Sequence, residues 1–227
     1  LDATLNMLKN YIKNTPKKEE IPDDTLDTIF QILDKCIKLK DRNAPLMSKV
    51  LDIGTNLYPV EKYKPMVNNL KLLKSINNDI PKFKDDHQYL NSALNCISIM
   101  SKDDPNNGLE ALNSGLFQNL NNEVSKLLKD GPEKYEQKKK PEEDPNGYLK
   151  TCFNLAKLYN NLIRNDMQNI DKFNKLGVTD NTIKMLDNFN DKVQPLTEEE
   201  KEDEEERKAN LLRNGKVKKK GLAPALP

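Results

Sequence analysis

Leu26–Gly54 reads LDTIFQILDKCIKLKDRNAPLMSKVLDIG, Tyr89–Gly115 reads YLNSALNCISIMSKDDPNNGLEALNSG, and Tyr148–Gly177 reads YLKTCFNLAKLYNNLIRNDMQNIDKFNKLG. Each opens on an apolar stretch with helical spacing. A polar break rich in Asp, Asn or Arg follows, then a shorter amphipathic stretch and a glycine. The closing glycines Gly54, Gly115 and Gly177 lie 61 and 62 residues apart. A unit that recurs at a near-constant interval and cannot bury its apolar face alone predicts a stacked helical array. Such arrays mostly bind partners.

Working outward from these stretches, Leu5, Leu8, Tyr11 and Ile12 form an apolar stripe that predicts an N-terminal helix. Residues 15–24 (TPKKEEIPDD) are a polar break in which Asp24 or Thr25 can cap the next helix. That helix carries Ile29, Phe30, Leu33, Cys36 and Ile37 at the 3.6 period. Pro45 suits the first turn of a second helix, with Met47, Val50 and Leu51 inward. Gly54 is expected to close it in a left-handed conformation. A third helix is expected through Met66, Leu70, Leu72, Leu73 and Ile76.

The later units follow the same order. Leu90, Leu94, Ile97 and Met100 mark one helix, and DDPNNG at 103–108 reads as a loop. Leu109 and Leu112 precede Gly115, and Leu116, Phe117, Leu120, Val124, Leu127 and Leu128 follow it. Residues 130–147 (DGPEKYEQKKKPEEDPNG) hold three prolines and no apolar period, which predicts a solvated insertion. Phe153, Leu155, Leu158 and Leu162 then lead to Ile170 and Phe173, Gly177, and Ile183, Met185, Leu186 and Phe189. Thr197-Glu198-Glu199-Glu200 fits a capping box for a charged helix to about Arg213, acidic first and basic last. The basic, then Pro-rich tail GKVKKKGLAPALP cannot form a core.

Composition narrows the function classes. The chain has 227 residues, 32% of them charged, and a formal net charge of +1. There is therefore no global field to draw nucleic acid or an anionic membrane. The mean hydropathy of −0.83 is polar for a compact domain, but the apolar residues are grouped periodically, so a core is expected. Cys36, Cys96 and Cys152 each lie in an apolar helical run, which predicts reduced core thiols in a cytosolic setting. No run reaches the roughly 18 apolar residues of a membrane span, and the first residues lack a signal-peptide layout. The chain opens on Leu1, so it is expected to be a piece of something longer.

Candidate chemistry is sparse. The single histidine, His87, stands in KDDHQ, read as an exposed loop; Asp85, Asp86 and His87 make no zinc spacing. A Cys96–His87 nucleophile pair would need a buried thiol to meet a loop imidazole. The eight glycines are dispersed, with no phosphate-cradling loop. The acid run Glu198–Glu206 lacks the Asp/Asn/Gly alternation of a calcium loop. Lys216, Lys218, Lys219 and Lys220 could meet an acidic protein surface or RNA, but lack neighbouring aromatics. No catalytic, cofactor or metal residues are assigned, and an enzyme is not expected.

The phrases LEALNSGLFQNL (109–120) and IDKFNKLGVTDNTIKML (170–186) resemble the armadillo family of α-solenoids, in which a short helix leads to glycine and then to a longer helix. The resemblance covers roughly residues 26–191, with HEAT repeats a close competitor. It implies an all-α solenoid of about three armadillo-like repeats. A repeat domain would span 1–193, with units about 26–79, 89–129 and 148–191, then a charged helix at 194–213 and an extended tail at 214–227. It also implies a groove lined by the third helices, carried onto positions near 62–75, 118–129 and 180–190. The protein-binding candidates are then Lys71, Asn119, Asn122, Lys126, Asn181, Lys184 and Asn188, with Lys218, Lys219 and Lys220 in the tail. General enrichment in Asn is the favoured reason for those asparagines. No Trp is present, which departs from the tryptophan–asparagine pairs of the nuclear-import branch.

The expected role is a non-catalytic protein-interaction scaffold in a larger cytoplasmic assembly, with the cytoskeleton or cilium as candidate settings. The tail is expected to dock on a neighbouring subunit. A reversible peptide-binding adaptor in transport or signalling, and a regulatory subunit of an enzyme complex, are the alternatives.

Overall fold

The computed structural model describes residues 1–102, 104–138, 146–165 and 170–190. Among these the fold is all-α, with no strand. The helices are α1 (Asp2–Asn14), α2 (Asp23–Lys38), α3 (Ala44–Leu57), α4 (Lys64–Asn69), α5 (Leu72–Phe83), α6 (His87–Lys102), α7 (Pro105–Asn113), α8 (Leu116–Lys138), α9 (Gly147–Asn165), α10 (Ile170–Lys175) and α11 (Val178–Asn190). No described helix is long and apolar enough to cross a membrane. Leu1–Asn188 forms one compact unit. The charged helix expected at 194–213 and the tail at 214–227 lie outside the described residues.

Local chemistry starts these helices. Asn43 Oδ1 accepts from the Leu46 N–H at 3.0 Å, and Pro45 occupies the first turn of α3. Asp86 Oδ1 accepts from the Tyr89 N–H at 2.9 Å to open α6. Asp104 Oδ1 accepts from the Asn106 N–H at 3.0 Å to open α7. The stretch 105–108, expected as loop, is therefore the first turn of a helix: Pro105 lacks only an N–H that a helix start leaves unpaired anyway. Neither Asp24 nor Thr25 caps α2; Pro22 holds that position without a side-chain bond.

Two glycine-based expectations change. Gly54 does not end a helix but lies inside α3, where an added Cβ would come within 2.7 Å of Leu72 Cδ1. Its role is close approach between α3 and α5. The left-handed residue that separates a short helix from a longer one is Lys71 (φ 54°), between α4 and α5. Gly115 (φ 78°) stands likewise between α7 and α8, and Gly177 (φ 79°) between α10 and α11. The expected single helix through Leu70 and Leu72 is thus broken at Lys71, because a left-handed backbone ends the α ladder. The insertion expected from residue 130 is also shorter. Gly131 (φ 73°, ψ 174°) kinks α8, which then continues to Lys138.

Four helices pack in sequence, α1 on α3, α3 on α6 and α6 on α9. The row is glued by apolar side chains such as Leu5, Val50, Leu94 and Leu158, all fully buried or nearly so. Polar ties cross it as well: Asn161 Nδ2 donates to the Ser98 carbonyl at 2.8 Å. Helix α5 packs on α6 and α8, and α7 on α6, α8 and α9. Tyr58 Oη, at the end of α3, accepts from Asn107 Nδ2 of α7 at 2.6 Å. Cys36, Cys96 and Cys152 are all buried and unpaired, as their apolar settings predict.

Candidate functional site

Helix α6 has two faces. Leu90, Ala93, Leu94 and Ile97 enter the core. Gln88, Asn91, Asn95 and Ile99, at spacings of three and four residues, stay on the open side. That open side floors a groove of about 680 Å³, walled by α1 and α3 on one flank and α9 on the other. On the first flank Lys9 is ion-paired with Asp52 at 2.5 Å. On the second stand Lys150, Phe153, Asn154 and Lys157. The Lys157 ammonium lies 5.3 Å from the centre of the Phe153 ring, a cation–π distance. An adjoining cleft of about 350 Å³ continues past Ile99 toward Thr55, Asn56, Pro59 and Val60.

Asn95 lines both cavities. Asn91 is held by its neighbour, its Oδ1 accepting from Asn154 Nδ2 at 2.5 Å across the α6–α9 seam. The side-chain amide of Asn95 makes no hydrogen bond among the described residues. An asparagine amide presents two donors and an acceptor, the complement of a peptide group. Residues four apart on a helix rise about 6 Å, and an extended chain repeats its backbone orientation every two residues, roughly 6.6 Å. Asn91 and Asn95 are thus spaced to meet alternate peptide groups of an extended segment lying along α6.

His87 closes one end of the groove. It is the first residue of α6, not a free loop residue, and its ring lies 4.8 Å from that of Tyr135. Its Nδ1 is buried without a hydrogen-bond partner. Tyr135 in turn packs its hydroxyl over Gly147, where any side chain would collide with it. His87 and Cys96, nine residues apart on one helix, point to opposite sides. The Cys96 thiol is spent inward on Met100 Sδ at 3.7 Å, and burial pushes its pKa up to about 12. A Cys–His nucleophile is therefore not assembled. Among the described residues no group of His, Cys, Asp and Glu could hold a metal ion.

The binding residues expected from sequence occupy other places. Lys71, Asn119, Asn122 and Lys126 are exposed, on the α4–α5 junction and α8. Asn119 Nδ2 donates to Asn77 Oδ1 at 3.0 Å, Asn122 accepts from Gln118 at 2.8 Å, and Lys126 pairs with Glu123 at 2.8 Å. Asn181, expected on an exposed groove surface, is only 1% exposed. Its amide reaches Ser125 Oγ at 2.7 Å, Tyr159 Oη at 3.1 Å and Asn121 Oδ1 at 3.1 Å. Burial pushes the Tyr159 hydroxyl pKa up, so it stays a neutral donor in this network. Asn188 donates to the Leu128 carbonyl at 3.0 Å and to Tyr148 Oη at 2.6 Å. Lys184 is half-buried on α11. Lys218, Lys219 and Lys220 lie outside the described residues.

Sequence reading missed Lys9, Asn91, Asn95, Asn154 and Lys157, which line the groove. The i, i+4 spacing of Asn91 and Asn95 was visible, but a chain rich in asparagine offers many such pairs. Phe153, counted in the apolar run that opens the third unit, is exposed. Compared with models of known protein families, with curated proteins and with solved structures, the chain matches none.

Proposed function

We propose that this chain is a non-catalytic protein-binding module of armadillo-like helical repeats, and that it holds an extended polypeptide segment in the groove along α6. The observation that carries this is Asn95. It is an unengaged amide at the junction of two cavities, one helical turn from Asn91 and spaced for alternate peptide groups. Lys157, on a helix without an acidic residue, favours a segment carrying carboxylates. Phe153 offers an apolar contact beside them.

The repeat reading gains support when units are counted from the short helix. Helices α4, α5 and α6 then make one unit and α7, α8 and α9 the next; the left-handed residues Lys71 and Gly115 occupy equivalent places 44 residues apart. That interval is close to the family's forty or so residues. In this register α3, α6 and α9 are the third helices, the elements that line the groove in armadillo proteins. The expected groove residues on α8 and α11 then belong to the middle helices.

A second reading, a permanent scaffold in a larger assembly such as a cytoskeletal or ciliary one, is favoured by the exposed apolar side chains on α1 and α9. The peptide reading is tested by selecting binders from a randomised linear-peptide display library on the immobilised chain. Asn95→Ala and Lys157→Glu should each weaken selected peptides roughly tenfold, since one charge-assisted or buried hydrogen bond is worth about 1–2 kcal/mol. Peptides indifferent to both substitutions would place recognition elsewhere.

A further inference from the structure

The two flanks of the groove along α6 differ in chemistry, and the packing of α9 on α6 sets how far apart their features lie. Asn154 donates to Asn91 and Asn161 to the Ser98 carbonyl, each tie spanning 63 residues. Two ties with one offset mean that α6 and α9 run parallel and in step. Phe153 is therefore level with Leu90, and the Lys157 ammonium, drawn back over the Phe153 ring, stands at that level too. Lys157 is the unanswered charge of this flank. It forms no ion pair among the described residues, α9 carries no acid, and Lys150 has a partner of its own. On the opposite flank Lys9 and Asp52 neutralise each other.

Further along α6, the α3 flank opens into the cleft of about 350 Å³ beside Asn95 and Ile99. Pro16, Pro59, Val60 and Ile99 give it apolar walls. Its hydroxyl, on Thr55, is committed to the Leu51 carbonyl at 2.7 Å, and the Asn56 amide donates to the Asp52 carbonyl at 2.8 Å. Its two charged residues, Lys18 and Glu19, are opposite in sign. The cleft thus has room for an apolar side chain and no net charge to hold an ionised one.

We propose that the groove selects peptides in which an acidic residue and a large aliphatic residue stand three positions apart, an inference that rests on the peptide reading above. An extended strand that turns one backbone edge to Asn91 and Asn95 sends successive side chains to opposite flanks. A carboxylate meeting Lys157 on the α9 flank and an apolar side chain entering the cleft on the α3 flank are then separated by an odd number of positions. The cleft, between the levels of Asn95 and Ile99, centres roughly seven residues beyond Leu90 on α6, about 10 Å along its axis. One position of extended chain advances roughly 3.3 Å and three advance roughly 10 Å. Three is the odd spacing that fits, whichever way the peptide runs.

The test is a display library of linear peptides, each with one fixed Glu and one fixed Leu from one to five positions apart and uncharged polar residues elsewhere, selected on the immobilised full chain. Peptides with the two residues three positions apart should be recovered at least roughly tenfold above every other spacing. Lys157→Glu should lose that enrichment and regain it, at the same spacing, from a matching library with Lys in place of Glu. Val60→Glu should abolish the preference for Leu and keep the preference for Glu. Circular dichroism checks that both variants fold. Binders with no preferred spacing, or with another one, would overturn the proposal and leave the peptide reading standing. So would a Leu preference that survives Val60→Glu, or no binder here where a fully randomised library yields some. No binder from either library would remove the peptide reading as well.

Discussion

Removing the carboxylate of Asp79 should be the most costly single change to this protein outside its apolar core. Asp79 sits in the middle of α5 at 0% exposure, and Arg42, in the turn between α2 and α3, reaches it with 16% of its own side chain exposed. The guanidinium grips both oxygens: Nη2 donates to Oδ1 at 2.8 Å, and Nε lies 3.1 Å from Oδ1 and 3.0 Å from Oδ2. Nη1 donates to the Ile37 carbonyl at 2.6 Å, tying the end of α2 into the same cluster. Asp79→Ala leaves Arg42 still drawn inward by Ile37 but without its counter-ion, and an orphaned buried charge costs about 3–5 kcal/mol. In a chain of this size each kcal/mol moves the midpoint by roughly 2–4 °C, so a fall of roughly 6–20 °C is expected. Thermal unfolding followed by circular dichroism at pH 7 measures that fall, and urea unfolding measures the cost in kcal/mol. The double variant Arg42→Met/Asp79→Leu should recover part of that loss, because it removes both the charge and the orphan. A cost below about 1 kcal/mol for Asp79→Ala, the worth of a surface pair, or a double variant worse than the sum of its parts, would refute the reasoning.

Lys71→Gly should raise stability by about 0.5–1 kcal/mol, since a left-handed backbone strains any residue with a Cβ. Gly115→Ala should lower it by about 1 kcal/mol; nothing lies within 4 Å of an added Cβ there, so only backbone strain can act. Opposite signs at these two positions in urea titrations would verify their equivalence. Stability should also fall as pH rises above 9. Burial holds the Cys152 thiol up at about 11 and Cys96 at about 12, so the unfolded chain releases those protons first and is favoured by alkali. Urea midpoints at pH 8 and pH 10 should diverge more for the unaltered chain than for Cys152→Ala, while an equal change in both would show that other groups carry the effect.

The sequence alone determined the helical class, because apolar residues at the 3.6 period leave no ambiguity over long runs such as Leu90 to Met100. It also placed Gly115 and Gly177 between a short helix and a longer one, while their left-handed backbone is a finding of the structure. It could not place Gly54 and Lys71. Whether a glycine ends a helix or admits a neighbour depends on what packs against it, and for Gly54 that neighbour is Leu72 on α5. For the same reason one class of residue divides in two. Asn181 and Asn95 are equivalent in a string of letters, yet packing turns Asn181 inward to Tyr159 and Ser125 and leaves Asn95 open above the groove. Periodicity records which side of a helix is apolar. Only the tertiary structure decides which polar side faces solvent, which faces another helix, and where two helices leave room between them.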